Sequence, residues 1–220
     1  MAVYDLEEQE QIDAIKAWWR QYGNRVSLGI ALVAVAVIGW QGWSFYQSRQ
    51  TAEAAVVFSA LQHAVQTQDA VKVKNLSGEL TEKYGRTSYA ALAALIAAKS
   101  SLETGDVRSA RAQITWAAEH GKDEVAALAQ LRLAGLLLDE AAYDEALKVL
   151  DGVSSPAFAA RVADMRGDVF AAQGQREKAG SAYEAALKAI AALPKGSVAA
   201  GQEALIQHKR DALGISESRP

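Results

Sequence analysis

The chain has 220 residues and a formal net charge of −3 at pH 7, and half of its residues are hydrophobic. This length suits one ordinary domain with an appendage, and the near-neutral charge argues against a nucleic-acid-binding protein. Because the chain contains no cysteine, thiolate catalysis, cysteine-ligated zinc and a disulfide scaffold are excluded.

The first predicted element is an uncharged, apolar segment at residues 26–48. A helix of these 23 residues would be about 34 Å long, enough to cross a hydrocarbon core of about 30 Å. Aromatic residues flank it on both sides and suit the two membrane interfaces, where amphipathic rings settle. These predicted anchors are Trp18, Trp19, Tyr22, Trp40, Trp43 and Tyr46. We therefore predict a single transmembrane helix at residues 26–48.

A cleaved signal peptide is the alternative to this uncleaved span. The 25 residues before the span contain five acidic residues, unlike the short basic start of a signal peptide. The apolar segment also exceeds the roughly 7 to 15 residues of a signal peptide. Residues 52–54, Ala-Glu-Ala, match a small-x-small cleavage pattern and keep the alternative open. We favour an uncleaved signal anchor.

The orientation of the span follows from its basic flanks. Lys16, Arg20 and Arg25 precede it, whereas Arg49 is the only basic residue shortly after it. Cytoplasmic flanks carry the excess of lysine and arginine. We therefore predict that residues 1–25 are cytoplasmic and that the domain at residues 49–220 is exported to the periplasm.

The cytoplasmic segment has apolar residues at helical spacing. They are Ile12, Ile15, Trp19 and Tyr22. This pattern predicts an amphipathic helix on the inner membrane surface, although a frayed tail with anchoring aromatics fits it equally well. Gly23-Asn24 is predicted to stop that helix and to cap the span.

Small residues share one helical face of the span. They are Ser27, Ala31, Ala34 and Gly42. Small side chains allow another transmembrane helix to approach closely. We predict that this set, named here the span face, packs against a partner helix.

After the span, three stretches that begin at Gly105, Ala141 and Gly174 align with one another, and each is predicted to be a turn. Their spacings of 36 and then 33 residues are close to the 34-residue period of tetratricopeptide repeats, which are pairs of helices. Residues at matching places are small, so that helices can approach, or bulky, so that they fill the space between them. The small ones are Ala98, Ala134 and Gly167, then Ala110, Ala146 and Ala179; the bulky ones are Ile114, Leu150 and Tyr183.

We predict an all-α domain at residues 49–220, in which helix pairs stack into a solenoid because one pair cannot bury its own apolar face. Three repeats are predicted at about residues 91–121, 127–155 and 160–193. A degenerate pair precedes them at residues 51–86, and a polar capping helix follows at residues 198–212.

Stacked pairs create a concave surface lined by the first helix of each pair. By the repeat register, its inward positions are Leu92, Leu95, Lys99, Leu128, Leu131, Gly135, Arg161, Asp164 and Asp168. This set, named here the inner groove, suits an extended peptide or a partner helix. The alternative is that its leucines serve only the core.

We find no pattern that indicates catalysis. The histidines, His63, His120 and His208, are widely separated, and none occurs in a metal-ligand spacing. The chain has neither a Gly-rich phosphate loop nor a Gly-x-Ser-x-Gly elbow. We predict a protein that is not an enzyme and needs no metal or cofactor.

The chain begins with an acidic stretch at residues 5–10 and continues, in order, with the Trp18-Trp19 pair, Gly23-Asn24 before one span, and degenerate tetratricopeptide repeats. This arrangement resembles the ancillary SecYEG translocon subunit family over the whole chain. The resemblance implies an inner-membrane protein with periplasmic repeats and no catalytic residues. It also implies association with the SecYEG translocon and with the periplasmic chaperone PpiD.

The function predicted from the sequence is a scaffold that joins the translocon to chaperones and that contacts, besides lipid, exported client chains. Two alternatives remain. One is a scaffold for cell-envelope assembly or division that uses the same repeats. The other is an envelope enzyme with an unrecognised site.

Overall fold

The computed structural model describes residues 4–193 and 200–214 of the chain. Those residues form nine α-helices, and the prediction of an all-helical protein is confirmed. The chain divides into two compact units, Met1–Gln50 and Thr51–Pro220. The first helix, α1, spans Tyr4–Gln66 and contributes to both units.

The first unit consists of the N-terminal part of α1. The helical stretch Lys16–Gln66 is long and apolar enough to cross a membrane, with a mean hydropathy of 1.8 in its most apolar window. None of that window is buried. This helix is the candidate membrane span that the uncharged segment predicts. Of the predicted amphipathic face, Ile12, Trp19 and Tyr22 are exposed, and the side chain of Ile15 lies outside the described residues.

The predicted helix stop at Gly23-Asn24 is wrong, because α1 continues through both residues without a break. A β-carbon at Gly23 would lie 3.1 Å from the indole of Trp19. The indole therefore covers Gly23, and the glycine serves close packing within the helix. A single glycine costs a helix only about 1 kcal/mol relative to alanine, which a long apolar helix tolerates.

The second unit consists of helix pairs joined by tight turns. After residues 51–66 of α1, its helices are α2 (Ala70–Lys83), α3 (Ser88–Glu103), α4 (Val107–His120), α5 (Asp123–Asp139), α6 (Tyr143–Asp151), α7 (Ala159–Ala172), α8 (Arg176–Ala191) and α9 (Ala200–Ala212). A 3-10 turn, Pro156–Phe158, precedes α7. The first two residues of the predicted capping helix, 198 and 199, lie outside the described residues.

The turn inside each pair places one residue in the left-handed region of the backbone. These residues are Gln68 (φ 53°), Gly105 (φ 80°), Ala141 (φ 58°) and Gly174 (φ 74°). In two turns the next residue is an aspartate that caps the second helix: Asp69 accepts a hydrogen bond from the amide of Lys72, and Asp106 from that of Ser109, each at 3.0 Å. The four turns therefore share a left-handed backbone conformation at this position, although their side chains differ.

The small residues of the repeat pattern lie in the core, as predicted. Ala98, Ala110, Ala134, Ala146 and Ala179 are at most 1% exposed, and Gly167 is buried. Ile114, Leu150 and Tyr183, which follow the second set, are also buried. Burial of apolar surface at about 25 cal/mol per Å² is the main driving force for this stacking. The last helix joins the core through Ile206, which packs with Tyr183 and Ile190 of α8.

Candidate partner-binding surfaces

The span face lies fully open along α1. Ser27, Ala31, Ala34 and Gly42 are all exposed, and a β-carbon at Gly42 would meet no other atom within 4 Å. Each of the six predicted interface aromatics is at least 37% exposed, namely Trp18, Trp19, Tyr22, Trp40, Trp43 and Tyr46. A helix with this much exposed apolar surface is suited to lipid or to a partner helix.

The structure divides the inner groove between core and surface. Leu95 and Leu131 are 2% and 5% exposed, so they mainly fill the core. Leu92 and Leu128 are half-buried, and Lys99 is exposed. The inner groove therefore exposes less apolar surface than its four leucines suggest.

Four inner-groove residues line one cavity of about 640 Å³, named here the α5–α7 pocket. They are Leu128, Leu131, Gly135 and Arg161. Its other described lining residues are Arg132, Ala157, Phe158, Ala160, Met165, Leu193 and Gln202. Cavities of this size commonly hold ligands or inserted side chains. The lining is apolar except for Gln202 and two arginines.

The inner-groove acids belong to an ion cluster that is built around the buried Asp164. Asp164, 1% exposed, accepts from Arg161 Nη1 at 2.9 Å and from Lys209 Nζ of α9 at 2.7 Å. Lys209 also donates to Asp168 at 2.8 Å, and the Tyr183 hydroxyl donates to Asp168 at 2.8 Å. Burial of the phenol and its hydrogen bond to Asp168 raise the pKa of Tyr183. Asp164 and Asp168 are therefore already bound by residues of this chain.

This cluster contains two residues that sequence reasoning did not place in the groove. Lys209 is predicted only as part of the polar capping helix, and Tyr183 only as a residue that fills space. Lys209 lies 45 positions from Asp164, so no helical spacing connects them. The one available signal was that two inward acids, Asp164 and Asp168, share a single inward basic residue, Arg161, since buried charges require partners.

The histidines do not converge on a site. His120 stacks on Trp116 with ring centroids 4.4 Å apart, and its Nδ1 lies 3.0 Å from the Trp116 carbonyl oxygen. Within residues 4–193 and 200–214, no three side chains of histidine, aspartate or glutamate form a group suited to a metal ion. The described part of the chain offers two candidate binding surfaces, the span face and the inner groove.

The sequence was compared with known proteins and families. The model of the tetratricopeptide repeat-like domain family matches residues 16–215. The chain is 30% identical over 184 residues to the ancillary SecYEG translocon subunit of Haemophilus influenzae, covering 83% of this chain and 90% of that protein. It is 33% identical to the ancillary SecYEG translocon subunit of Neisseria gonorrhoeae, covering 94% and 98%.

Among solved structures, the chain is similar to MamA from Desulfovibrio magneticus, with 18% identity and a TM-score of 0.49. That match covers 76% of this chain and 97% of the MamA chain. The family match and the identity to the two translocon subunits each extend over most of the chain. The chain belongs to the ancillary SecYEG translocon subunit family and carries a tetratricopeptide repeat-like domain.

Proposed function

We propose that this chain is a non-catalytic inner-membrane adaptor that associates with the SecYEG translocon and links it to periplasmic chaperones during protein export. The observation that carries the proposal is one exposed apolar helix followed by a stacked helical repeat domain, in a chain whose relatives are named ancillary SecYEG translocon subunits. Such repeat domains characteristically bind proteins. PpiD is the proposed chaperone partner, and exported chains are the proposed clients.

The proposed topology places the N-terminus in the cytoplasm and the repeat domain in the periplasm. Lys16, Arg20 and Arg25 before the span outnumber Arg49 after it, and basic flanks stay in the cytoplasm. An alkaline phosphatase fused after residue 214 should be active, and the enzyme fused in front of residue 1 of the intact chain should be inactive. The reverse pattern would contradict this topology.

The span supplies the proposed contact with the translocon. Its face of small, exposed residues lets a neighbouring transmembrane helix approach closely, so that van der Waals contacts between helices replace contacts with lipid. Tethering then raises the effective concentration of the repeat domain beside its partners, without any new contact in the domain itself.

The test is co-purification of SecY with the affinity-tagged full chain from membranes in mild detergent. Ala34→Leu adds bulk to the span face, and Ala36→Leu makes the same change two residues away, on the opposite side of the helix. Ala34→Leu should reduce SecY recovery severalfold, whereas Ala36→Leu should leave it unchanged. Equal recovery from both variants would refute the span face, and absence of SecY from the unaltered chain would refute the translocon association.

The chaperone link is tested by photocrosslinking in cells. A photoreactive residue at Leu128, which lines the α5–α7 pocket, should yield adducts with a periplasmic chaperone. A photoreactive residue at Glu184, exposed on α8, serves as the control. Adducts with division or cell-wall proteins instead would favour the envelope-assembly alternative. Equal yields of chaperone adducts from both positions would show that the chaperone contact is not specific to the inner groove.

A further inference from the structure

The α5–α7 pocket has an apolar floor that is already formed. Leu131 and Met165 are 5% and 7% exposed, and Phe158 of the 3-10 turn also lines the pocket. Gly135 lines the pocket without a side chain, and a β-carbon there would be 3.5 Å from the Met165 methyl group. A bulky apolar side chain inserted here would gain contacts without first moving the core.

The charged part of the pocket wall has one sign. Arg132 and Arg161 line it, and no acidic residue does within the described part of the chain. Arg161 pairs with Asp164 at 2.9 Å. Lys209 of α9 binds both Asp164 and Asp168. The charges of the two acids on α7 are therefore balanced by basic residues of this chain.

Arg132 differs from Arg161 because no acidic partner is seen for it among the described contacts. Its Nη1 donates only to the backbone carbonyl of Leu95, at a long 3.5 Å. The positions three and four residues away on α5, where an acid would pair with it, hold Leu128, Ala129, Gly135 and Leu136. Arg132 is exposed and therefore presents a planar guanidinium that can bind a carboxylate with two parallel hydrogen bonds.

We propose that the α5–α7 pocket binds a segment of a partner polypeptide in which a carboxylate lies beside a bulky apolar side chain. The apolar side chain enters above Leu131 and Met165, and the carboxylate binds Arg132. Segments with a basic residue at that place are rejected by the two arginines. This inference rests on the proposed function and specifies the chemistry of the partner that the repeat domain recognises.

The test uses the full chain in nanodiscs of neutral lipid and peptides that carry an uncharged fluorophore, followed by fluorescence anisotropy. The probe is a Gly/Ser-rich peptide with a central Asp-Leu-Phe-Asp. Its matched versions replace both acids by lysine, both acids by asparagine, or the Leu-Phe pair by serines. We expect the acidic, apolar peptide to bind at least about tenfold tighter than each of the other three, because two of them lack the charge pair with Arg132 and the third lacks the apolar side chains that fill the pocket.

Variants locate the site. Arg132→Glu should lose the acidic peptide and gain the lysine peptide, whereas Arg176→Glu, the same change at an exposed arginine of α8, should leave both affinities unchanged. Gly135→Leu should fill the pocket and weaken binding of the acidic, apolar peptide. The gain of the lysine peptide by Arg132→Glu cannot come from a misfolded variant, so it separates recognition from loss of structure.

Two results would overturn the inference. One is that the unaltered chain binds the acidic and lysine peptides equally well, or binds none of the four peptides. The other is a preference for the acidic peptide that survives Arg132→Glu. Because the nanodiscs contain no SecY, neither result bears on the translocon association, which the co-purification measures separately.

Discussion

The phenol ring of Tyr183 on α8 fills the space beside Gly167 on α7 that a β-carbon would otherwise occupy. The hydroxyl of the same ring donates to Asp168, one residue further along α7. The glycine therefore lets a large aromatic side chain reach the partly exposed carboxylate of Asp168 between two helices.

Gly167→Ala should destabilise the last repeat by about 1 kcal/mol, because overpacking typically costs about 1 to 3 kcal/mol and the gain in helix propensity returns about 1. Thermal unfolding of the full chain in detergent, followed by circular dichroism, measures this change. Gly78→Ala on α2 is the control, since its β-carbon would meet nothing within 4 Å, and it should stabilise. A Gly167→Ala protein as stable as Gly78→Ala would contradict the tight contact.

Lys209→Met should weaken the attachment of α9, because it leaves Asp164 with Arg161 alone and Asp168 with Tyr183 alone. Removal of one partner from a buried ion pair costs about 3 to 5 kcal/mol when nothing replaces it, and we expect about 2 here because those partners remain. Hydrogen exchange of α7 and α9 amides measures the loss. Lys188→Met, at an exposed lysine of α8, should change exchange little.

A double-mutant cycle checks that the effect belongs to the pair. Combined with Asp164→Asn, Lys209→Met should cost less than it does alone, since the buried charge has been removed as well. Strictly additive losses would show that Lys209 acts through packing of its hydrocarbon chain instead.

Ala141→Gly should stabilise the protein by about 1 kcal/mol, because Ala141 adopts a φ of 58° and a left-handed backbone costs a residue with a β-carbon about 1 to 2 kcal/mol. Ala142→Gly is the matched control, since Ala142 has a φ of −84° and glycine there only adds freedom to the unfolded chain. The two variants should shift the midpoint of thermal unfolding in opposite directions. A lower midpoint for Ala141→Gly would refute the strained turn.

The two capping aspartates predict a pH dependence. Hydrogen bonds from the Lys72 amide and side chain lower the pKa of Asp69, and those from Ser109 lower the pKa of Asp106, in each case below the usual 3.8. Because the folded pKa is the lower one, the cap stabilises fully above the unfolded value and is lost as pH falls below 3.8 through the folded pKa. Protection of α2 and α4 amides should therefore fall in that window.

Asp69→Asn and Asp106→Asn are the test of this pH dependence. Asparagine caps helices about as well as aspartate but does not titrate. The variant helices should keep their protection at neutral pH and lose less of it on acidification than the unaltered ones. Identical acid profiles would mean that other carboxylates control these helix starts.

Local signals predicted most of this fold. The sequence shows the Asp106 cap, the glycines at positions 105 and 174, and small residues that recur at intervals of 36 and then 33 residues. The structure places them in turns and core. The repeat alignment predicts a turn at Ala141, but the left-handed backbone of the turns at Gln68 and Ala141 could not be predicted from residue type. Those turns are imposed by the packing of their pairs, which overrides the local cost.

The candidate site was harder to predict for a related reason. The register assigned Asp164 and Asp168 to an open groove, because it describes a helix pair and not the helix that follows the array. Lys209 reaches them from α9, a contact between distant parts of the chain that no local pattern encodes. Likewise, the predicted stop at Gly23 is wrong because a sequence does not distinguish a glycine that ends a helix from one that lies under a side chain within a helix. Gly23 is of the second kind, since the Trp19 indole covers it.

The ion pair between Asp164 and Lys209 can form only late in synthesis of the chain. A ribosome completes α7 well before it reaches residue 209, so until then Asp164 has Arg161 as its one cation among the described contacts. A buried carboxylate with an incomplete shell loosens the packing around it. We therefore expect proteases to cleave the final repeat of a chain interrupted before Lys209 faster than that of the full chain.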